Sequence, residues 1–588
     1  AYMSAKIGLG YSLPELVNTI TKKTTACFEP ALDYIVCKHP RWDFTKFELA
    51  NRSLGPTMKS VGEVMAIGRN FEEVLQKSIR MLDIGKDGLV LNRQNNKSFD
   101  EEEIEERLQT PDDNILFYVV AAIRIGISIE KIYRLSAIDP WFLEKINNIV
   151  GIETRLKSSP LDQKLLSTAK KFGFSDQQIA HAVSKEELEI RKIRKDLGVI
   201  PVVKQIDTLA AEWPAETNYL YLTYGGIEND ISITNANTGI IVLGAGPYRI
   251  GSSVEFDWAT VNMVWGLHDG GEKNVIVVNC NPETVSTDYD ICDRLYFEEL
   301  TLERILDISE FEMSKGIVTS VGGQTANNLT PKLADSGINL IGTKAEDVDK
   351  AENRSKFSQI LDRLHIGQPS WQAFTSITDA KNFALEVGYP VLVRPSYVLS
   401  GAAMKVVWSQ SELKKFVNEA TTVSPDHPVV ITKFMLDALE IDVDGICDGK
   451  NVSIGAIVEH IDSAGVHSGD AMMCIPPWRL SNKIIENITD STNRIAKEFN
   501  IKGPFNLQFL VKNEQAYVIE LNIRASRSMP FVSKFIKLNM IGLAAKAILG
   551  KNIPNIPQDL WLNTGLYGIK VPQFSFMQLE GADIVLGV

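Results

Sequence analysis

Cysteine and histidine are scarce in this sequence, with six cysteines and seven histidines among 588 residues. No two cysteines form a Cys-x-x-Cys pair, and none has a histidine at the spacing of a zinc site. The cysteines stand singly at positions 27, 37, 280, 292, 447 and 474. Neither a zinc site nor a disulfide framework is indicated, and a reducing compartment fits this usage best.

Long apolar runs and an excess of positive charge are also missing. No run approaches the ~18 residues of a membrane span, and no signal-peptide pattern opens the chain. The net charge of −13 argues against a nucleic-acid backbone or an anionic membrane surface as a partner. ATP stays open as a ligand, because it needs only a local basic pocket. The remaining composition, 44% hydrophobic and 23% charged, is that of an ordinary globular protein with length for roughly four domains.

The sequence contains a long-period repeat. Lys38-His-Pro40-Arg-Trp42-Asp-Phe44 resembles Lys570-Val-Pro572-Gln-Phe574-Ser-Phe576, and Ala5-Lys6-Ile-Gly-Leu-Gly10 resembles Ala545-Lys546-Ala-Ile-Leu-Gly550. The offset is 532 to 540 residues. We therefore expect the chain to begin in the tail of one copy and to reach the same region of a second. The absence of an initiator methionine fits a piece of a longer protein.

Helical patterns dominate from about residue 80 to residue 235. Ser175-Asp-Gln-Gln178 and Ser184-Lys-Glu-Glu187 are typical capping-box starts. Residues 117–124 have the apolar spacing of a buried helix. Because this block carries no cluster of chemically active side chains, we expect it to be a structural or self-association module.

From Thr238 the pattern changes to the alternating strands and helices of an α/β domain. Buried strands are predicted at 239–243, 275–278 and 316–320. A glycine-rich turn or a polar loop follows each: Gly244-Ala-Gly246, residues 279–288, and Gly322-Gly323-Gln324. Such segments at strand ends form rims for small molecules or anions, although tight turns can also serve packing alone. Beyond about residue 351, paired strands dominate.

The strongest chemical signal is a predicted β-hairpin over residues 506–524, turning at Asn513-Glu514-Gln515. Strand side chains alternate between faces, so Glu520, Asn522 and Arg524 share one face. The other face is apolar and carries Tyr517, Ile519, Leu521 and Ile523.

A three-residue turn also predicts which residues lie opposite each other in this hairpin. Gln508 then faces Glu520, and the apolar pairs are Leu507–Leu521, Phe509–Ile519 and Val511–Tyr517. Three oxygen-bearing side chains and a guanidinium converge on one patch. Oxygen ligands beside a fixed cation suit Mg²⁺ bound to nucleotide phosphates. The alternative is a half-exposed strand pair with a polar outer face.

Further candidate residues lie upstream of this hairpin. Arg394 ends an apolar strand, where it can contact phosphate, and the small-residue loop around Ser400-Gly401 can close over a triphosphate. The backbone from Lys433 to Met435 can take an adenine edge, and Glu440 can take ribose hydroxyls. His467 lies between glycines that permit close backbone approach to a ligand, although a surface histidine is the simpler interpretation.

The order of these segments resembles that of the large subunit, or synthetase region, of carbamoyl phosphate synthetase, an ATP-grasp family. The segments Met58 to Gly68 and Asn279 to Asp288 are nearly identical to family segments. Bacterial members usually have proline where this chain has Ile523 and a second glycine in the loop Ser400-Gly401-Ala402. In these positions the chain resembles the eukaryotic multifunctional forms.

The resemblance implies an α/β fold: an ATP-grasp domain with a preceding Rossmann-like (pre-ATP-grasp) domain, plus an all-α oligomerisation domain. Residues 1–78 would be the tail of a first, carboxyphosphate-forming ATP-grasp half, with most of that half absent. Residues 79–235 would form the oligomerisation domain, 236–350 the pre-ATP-grasp domain, and 351–588 the second, carbamoyl phosphate-forming ATP-grasp domain.

By the same resemblance, ATP binds with two Mg²⁺ or Mn²⁺ ions held by Gln508, Glu520 and Asn522. The nucleotide would be lined by Arg394, Lys433, Met435, Glu440, Gly465, Val466, His467 and Ser468, together with Gln508 and Glu520. The catalytic residues would be Arg394, Arg524 and Arg527, which hold phosphate and carbamate. Carbamate oxygen attacks the γ-phosphoryl group, and the protein supplies orientation and charge neutralisation.

The implied partners are bicarbonate or carbamate, ATP, a glutaminase subunit or domain, and further copies of the chain through the helical block. The implied location is cytoplasmic, or mitochondrial for an ammonia-dependent type, in pyrimidine or arginine and urea synthesis. Two other enzymes and a scaffold are the alternatives. An oxidoreductase built on Gly244-x-Gly246 lacks a ribose-binding acid, a biotin-carboxylase-like enzyme lacks a biotinyl-lysine motif here, and a non-catalytic scaffold would not need the retained ligand-type residues.

Overall fold

The structure is a computed structural model. It describes residues 2–573 and residue 581, apart from 20, 48, 94–99, 211–215, 237, 375, 396–403, 415, 417–428 and 467. Of the predicted site features, His467 and the loop Ser400-Gly401-Ala402 lie outside the described residues.

The N-terminal part is built from one helix and a two-stranded antiparallel sheet. These elements are α1 (Tyr2–Gly8), β1 (Ile35–Arg41) and β2 (Gly62–Gly68). Short 3-10 turns occur at Leu13–Glu15, Phe44–Lys46, Val285–Thr287 and Gln558–Leu560.

A helical region follows, with a buried apolar core of its own. Its helices are α2 (Phe71–Met81), α3 (Glu101–Gln109), α4 (Ile115–Arg124), α5 (Ile129–Ser136), α6 (Pro140–Ser158), α7 (Gln163–Lys171), α8 (Asp176–Val183) and α9 (Glu187–Asp196). The capping box predicted at Ser175 is confirmed, since its hydroxyl accepts from the backbone N–H of Gln178. The one predicted at Ser184 is wrong: Ser184 ends α8 in a left-handed conformation, and Glu186 precedes α9.

The prediction of helix up to residue 235 is also wrong in its last part. Residues 202–205 and 219–223 form strands β3 (Val202–Gln205) and β4 (Tyr219–Thr223). They complete the sheet of the α/β region, where β3 is antiparallel to β4 and β4 is parallel to a strand far along the chain. This long-range pairing decides their structure, and a local pattern cannot reveal it.

The α/β region holds a six-stranded sheet in the order β3-β4-β7-β6-β5-β8. The new strands are β5 (Ile240–Leu243), β6 (Val275–Asn279), β7 (Arg294–Phe297) and β8 (Gly316–Val318). The helices are α10 (Val254–Asp269), α11 (Leu302–Phe311), α12 (Gly323–Asn327), α13 (Thr330–Asp335) and α14 (Ala345–Glu352). The three predicted strands are confirmed, and they are fully buried, as strands of a parallel sheet covered on both faces usually are.

The turns after β5, β6 and β8 meet at one edge of this sheet. The backbone N–H of Gly246 donates to Asn279 Oδ1 at 3.0 Å. A Cβ on Gly322 would lie 2.2 Å from the carbonyl oxygen of Gly244, so only glycine fits there. The three predicted segments therefore pack together at this edge, and their use as a rim for a small molecule stays a prediction.

Two antiparallel sheets make up the remainder. The smaller has the order β11-β10-β12-β9, and the larger has the order β17-β16-β13-β14-β15-β18. The strands of the smaller sheet are β9 (Trp371–Phe374), β10 (Val391–Pro395), β11 (Lys405–Val407) and β12 (Val429–Lys433). Those of the larger are β13 (Leu439–Asp448), β14 (Val452–His460), β15 (Met473–Ile475), β16 (Lys502–Lys512), β17 (Gln515–Asn522) and β18 (Gly568–Lys570).

Helices cover these two sheets. They are α15 (Arg354–Arg363), α16 (Ile377–Val387), α17 (Asn482–Glu498), α18 (Met529–Ile536) and α19 (Met540–Ile548). The larger sheet and α17 to α19 share one apolar core with α10 of the α/β region. Among the described residues, no helix combines the length and the apolar character that crossing a membrane would require.

The predicted hairpin is present as β16 and β17, but its turn has two residues instead of three. Asn513 and Glu514 both have positive φ, 51° and 56°, which is the backbone of a type I′ hairpin turn. Near the turn the pairs are shifted by one residue, so Phe509 faces Val518 and Val511 faces Ala516. The predicted pairs Phe509–Ile519 and Val511–Tyr517 are therefore wrong.

A bulge in β17 corrects the shift farther from the turn. The register changes between Gln508 and Phe509, and Ile519 is the extra residue. Beyond the bulge the predicted pairs Leu507–Leu521 and Gln508–Glu520 are confirmed. The apolar face consequently carries Val518 and Leu521, with Ile523 beyond the strand, in place of Tyr517 and Ile519.

Candidate functional site

Two rows of polar side chains cross one face of the larger sheet. Directly opposed residues of β13, β16 and β17 form each row: Asp442, Gln508 and Glu520 in the first, Asp444, Asn506 and Asn522 in the second. Opposed residues point to the same face. The three predicted metal ligands, Gln508, Glu520 and Asn522, therefore share one patch. Asn506, which we did not single out, could have been found from the same alternation, because it lies two residues before Gln508.

Glu520 is held by an arginine that the sequence pattern did not indicate. The Arg354 Nη2 donates to Glu520 Oε2 at 2.5 Å. Burial alone would raise the pKa of the Glu520 carboxyl, but Arg354, followed by Arg524 and Arg394, lowers it to about 2. Arg354 is the first residue of α15, 166 positions before Glu520. No local signal connects the two residues, since only the fold brings them together.

Arg394 approaches the same carboxylate from the smaller sheet. Its Nη2 donates to Thr432 Oγ1 at 3.3 Å, and its buried Nε has no hydrogen-bond partner among the described residues. Burial lowers the pKa of Arg394 to about 9, and repulsion from Arg354 adds to this, while Glu520 opposes it. The two sheets thus contribute to one electrostatic site.

Arg524 lies just after β17. Its Nε donates to Gln324 Oε1 at 3.3 Å, and its Nη2 donates to Asn522 Oδ1 at 3.2 Å. The guanidinium carbon lies 5.7 Å from the centre of the Phe256 ring, which is within cation–π range. Burial lowers the pKa of Arg524. The α/β region therefore contacts this arginine through Gln324 and Phe256.

Arg527 is the fourth guanidinium of this group. Its Nε lies 3.7 Å from Glu255 Oε1 on α10. Burial lowers the pKa of Arg527 to about 10, although Glu255 acts in the opposite direction. We call the four residues Arg354, Arg394, Arg524 and Arg527 the arginine cluster. Neither Arg394 nor Arg524 has a carboxylate within ion-pair distance among the described residues, and unpaired guanidiniums of this kind favour an anionic ligand.

The predicted ribose and loop residues also come together. Glu440, on β13, accepts a hydrogen bond from the backbone N–H of Gly465 at 3.0 Å. Burial raises the pKa of Glu440. Gly465 has a φ of 103°, which side chains other than hydrogen disfavour. Val466 is buried beside it, and the Ser468 carbonyl accepts from Lys570 Nζ at 2.9 Å.

Lys433 and Met435 lie in the segment that connects the two sheets, from the end of β12 to the start of β13. Lys433 Nζ donates to the carbonyl oxygens of Gly388 and Tyr389 at 2.8 and 3.3 Å. The ammonium is therefore engaged by backbone groups and does not point freely towards the arginine cluster. Burial and the charge of Lys512 lower its pKa. The position between sheets is nevertheless the one expected for a segment that contacts a base.

The donor set fits a magnesium–nucleotide complex. Arg354 engages one carboxylate oxygen of Glu520, while Gln508 and Asn522 supply amide groups on the same face. Within the described part of the chain, no group of three or more histidine, cysteine, aspartate or glutamate side chains could hold a metal by itself. Mg²⁺ is usually held by one or two carboxylates, substrate phosphates and water, so these residues suit an ion that arrives with a nucleotide.

Family comparisons agree with the geometry. Residues 63–198 match the family described as carbamoyl-phosphate synthetase large chain, oligomerisation domain. Residues 236–350 match the carbamoyl phosphate synthase preATP-grasp domain. Residues 349–556 match the carbamoyl-phosphate synthase L chain, ATP binding domain.

Two relatives are similar over the whole chain. The multifunctional protein CAD of Squalus acanthias is 49% identical over 596 residues, covering 100% of this chain and 26% of that protein. The carbamoyl phosphate synthase large chain of Sulfurisphaera tokodaii is 48% identical over 591 residues, covering 100% of this chain and 56% of that protein. The chain therefore spans no more than about half the length of these relatives. The identities are too similar to assign it to the multifunctional or the separate large-chain type.

Among solved structures, the Campylobacter jejuni biotin carboxylase in complex with β,γ-ATP matches with a TM-score of 0.46 and 21% identity, over 56% of this chain and 74% of that one. A likeness of this size supports no inference about function. The three domain matches, and the relatives that align with this chain over its whole length, show its family. The chain belongs to the carbamoyl phosphate synthase large-chain family.

Proposed function

We propose that this chain binds MgATP between its two antiparallel sheets and phosphorylates carbamate to carbamoyl phosphate. The observation that carries the proposal is the arginine cluster beside Gln508, Glu520 and Asn522. Family membership makes carbamate the acceptor, since an arginine cluster alone would serve any phosphoryl transfer.

In the proposed reaction, a carbamate oxygen attacks the γ-phosphorus of ATP, the bond to the bridging oxygen breaks, and ADP leaves. Arg394 and Arg524 neutralise charge on the phosphoryl oxygens from opposite sides, and Arg527 holds the carbamate. Glu520 stays ionised because Arg354 lowers its pKa to about 2. Bound Mg²⁺, with Gln508, Glu520 and Asn522 as its ligands, would supply further charge neutralisation. We also propose that the site holds a second metal ion with ATP and that Mn²⁺ can replace Mg²⁺.

The nucleotide would extend away from this cluster. Glu440 would bind ribose hydroxyls, and the backbone at Lys433 to Met435 would contact adenine. Gly465, Val466, His467 and Ser468 would line the same side. Glu440 fits this role because its buried carboxylate has a raised pKa and is already fixed by the Gly465 N–H.

We propose domain boundaries near residues 78, 235 and 350, and we revise the second of them. Strands β3 and β4 join the α/β sheet, so the helical domain should end near Asp196. Its solvent side exposes Ile125, Tyr133, Trp141 and Phe142, and these side chains would support self-association. Ammonia from a glutaminase partner, and a role in pyrimidine or arginine synthesis, rest on the resemblance alone.

The back-reaction tests the function on this chain as it stands. Carbamoyl phosphate and MgADP should yield ATP, because a β-phosphate oxygen attacks phosphorus and carbamate leaves. Glu520→Gln should lower this rate by at least about 10²-fold, the usual cost of removing one preorganised charge at a phosphoryl transfer site. Coupled detection of ATP measures the rate.

Glu514→Gln is the matched control, because Glu514 lies exposed at the turn of the same hairpin and should leave the rate unchanged. Activity of Glu520→Gln within a few-fold of the unaltered chain would contradict the site assignment. A folded chain that binds ADP but forms no ATP would contradict the function.

A further inference from the structure

Arg524 is connected to a distant part of the chain by a short series of hydrogen bonds. Its Nε donates to Gln324 Oε1 at 3.3 Å. Thr325, the next residue, donates from Oγ1 to Asp83 Oδ2 at 2.8 Å and accepts from Arg249 Nη2 at 3.0 Å. Arg249 also forms an ion pair with Asp83. The loop after α2 is thereby connected to Arg524 through the adjacent residues Gln324 and Thr325.

The element that carries Gln324 and Thr325 has little room to move. Helix α12 begins at Gly323, whose φ of 65° and close approach to the Phe256 ring admit only glycine comfortably. Gly322 before it lies against the carbonyl oxygen of Gly244. Backbone contacts therefore fix the start of this short helix. The Thr325 bond to Asp83 adds a side-chain restraint from the loop after α2.

Asp83 is itself held in place. Its φ is 53°, an unusual value for a residue with a side chain, and its carbonyl oxygen accepts from Arg41 Nη1 at 3.1 Å. Arg41 also donates to the carbonyl of Leu82. The aspartate is thus held in place within the helical region, while the residues it restrains belong to the α/β region.

We propose that Asp83 and Thr325 are positioning residues for Arg524, acting through Gln324, so that the helical region sets the geometry of the phosphate site. The inference rests on the proposed function for its kinetic readout. A structural role alone would predict an effect on stability. A positioning role predicts a lower rate of the phosphoryl-transfer step, in which Arg524 binds phosphoryl oxygens. The reason is that a small displacement of such a group lowers the rate strongly.

Two substitutions of Thr325 separate the hydrogen bond from packing. Thr325→Val keeps the shape and removes the hydroxyl, whereas Thr325→Ser keeps the hydroxyl and removes a methyl group. We expect Thr325→Val to lower kcat for ATP formation from carbamoyl phosphate and ADP by about 5- to 20-fold, as loss of the two hydrogen bonds of the hydroxyl with some misplacement of Arg524 would. Thr325→Ser should stay within about 2-fold. The KM for ADP should change less than kcat.

A double substitution tests whether the effect passes through Gln324. Gln324→Met removes the acceptor for Arg524, and in that background Thr325→Val should cause no further loss. Equal effects of Thr325→Val and Thr325→Ser, or losses that multiply in the double variant, would overturn the proposal. A thermal melt of each variant checks that folding is retained, which we expect because Gln324 and Thr325 are only half-buried and the Asp83–Arg249 ion pair is kept in every variant.

Calorimetric binding keeps this test independent of the proposed function. If the unaltered chain forms no ATP, that function fails. The positioning role is then judged from the affinity ratio of ADP to adenosine. Thr325→Val should lower this ratio and Thr325→Ser should not, since only ADP carries phosphates for Arg524. An unchanged ratio in Thr325→Val would refute the positioning role.

Discussion

Two places in this molecule hold groups of charged side chains, and they differ in whether each cation has a carboxylate within ion-pair distance. One lies between the helical region and the α/β region, and we call it the interface network. Its cations are Lys77, Arg80, Lys170, Arg191, Arg194 and Arg304, and its carboxylates are Glu73, Asp176, Glu298, Glu299, Glu303 and Asp307. The other is the arginine cluster of the candidate site.

In the interface network each cation lies within 4.0 Å of a carboxylate. Lys170 Nζ contacts Glu303 and Asp176 at 2.6 and 2.9 Å, for example. Burial opposes the charge of Arg304, but Glu298 and its neighbours raise the pKa of this arginine well above its ordinary value. Each cation of this network is therefore paired without a ligand.

In the arginine cluster the shifts have the opposite sign. Burial lowers the pKa of Arg394, Arg524 and Arg527. No carboxylate within ion-pair distance of Arg394 or Arg524 occurs among the described residues. A cation removed from water without a paired anion is costly, and a bound phosphate would offset that cost. The pairing of each cation, more than burial itself, therefore distinguishes the structural network from the proposed binding site.

The largest expected effect comes from removing one cation from the interface network. Lys170→Met leaves Glu303 and Asp176 buried with one cation fewer, which should lower the free energy of unfolding by about 3–5 kcal/mol. Denaturant unfolding followed by circular dichroism measures it. Lys195→Met is the control, because its pair with Glu310 is 42% and 49% exposed and should matter by less than about 1 kcal/mol. Equal effects of both substitutions would contradict the contrast.

The second effect comes from removing a cation from the arginine cluster. Arg394→Met should lower ATP formation from carbamoyl phosphate by about 10²-fold. It should not lower the unfolding temperature, because an unmatched buried charge is lost. Arg363→Met, at an exposed pair with Glu498, should change neither quantity. A fall in stability comparable to that of Lys170→Met would mean that Arg394 is structural.

The smallest effect concerns a carboxylate of the second polar row. Burial, reinforced by Asp442, raises the pKa of Asp444 to about 6 from its ordinary 3.8. The folded state then binds this proton more tightly than the unfolded state, so the Asp444 contribution to stability falls as pH rises from about 4 to 6. Asp444→Asn should remove that slope and raise stability at pH 7 by on the order of 2 kcal/mol.

Urea unfolding between pH 4 and pH 7 measures the difference. Asp448, at the end of the same strand, provides the control. Burial acts to raise the pKa of Asp448, but hydrogen bonds from Asn451 and Lys450 outweigh it and lower this pKa to about 2. Its contribution to stability is present above its ordinary pKa and is lost below about pH 4, so Asp448→Asn should leave the slope between pH 4 and 6 intact. Parallel pH profiles for Asp444→Asn and the unaltered chain would contradict the burial effect.

Local sequence patterns were sufficient for part of the fold and of the site. Alternation along β17 put Glu520 and Asn522 on one face, and it placed Gln508 opposite Glu520. The same rule failed at Tyr517 and Ile519, because a two-residue turn and a compensating bulge shift the register in between. A bulge depends on how the strand packs in the sheet, and alternation carries no information about it.

The sequence by itself determined the elements whose causes are local: the buried parallel strands, the capping box at Ser175, and the polar face of the hairpin. The tertiary structure alone decided which distant residues complete the site. Arg354 meets Glu520, Arg394 arrives from another sheet, and Gln324 supports Arg524 from the α/β region. The physical reason is that periodicity reports the direction of a side chain relative to its own strand or helix, whereas an electrostatic site depends on distances between elements far apart in the chain.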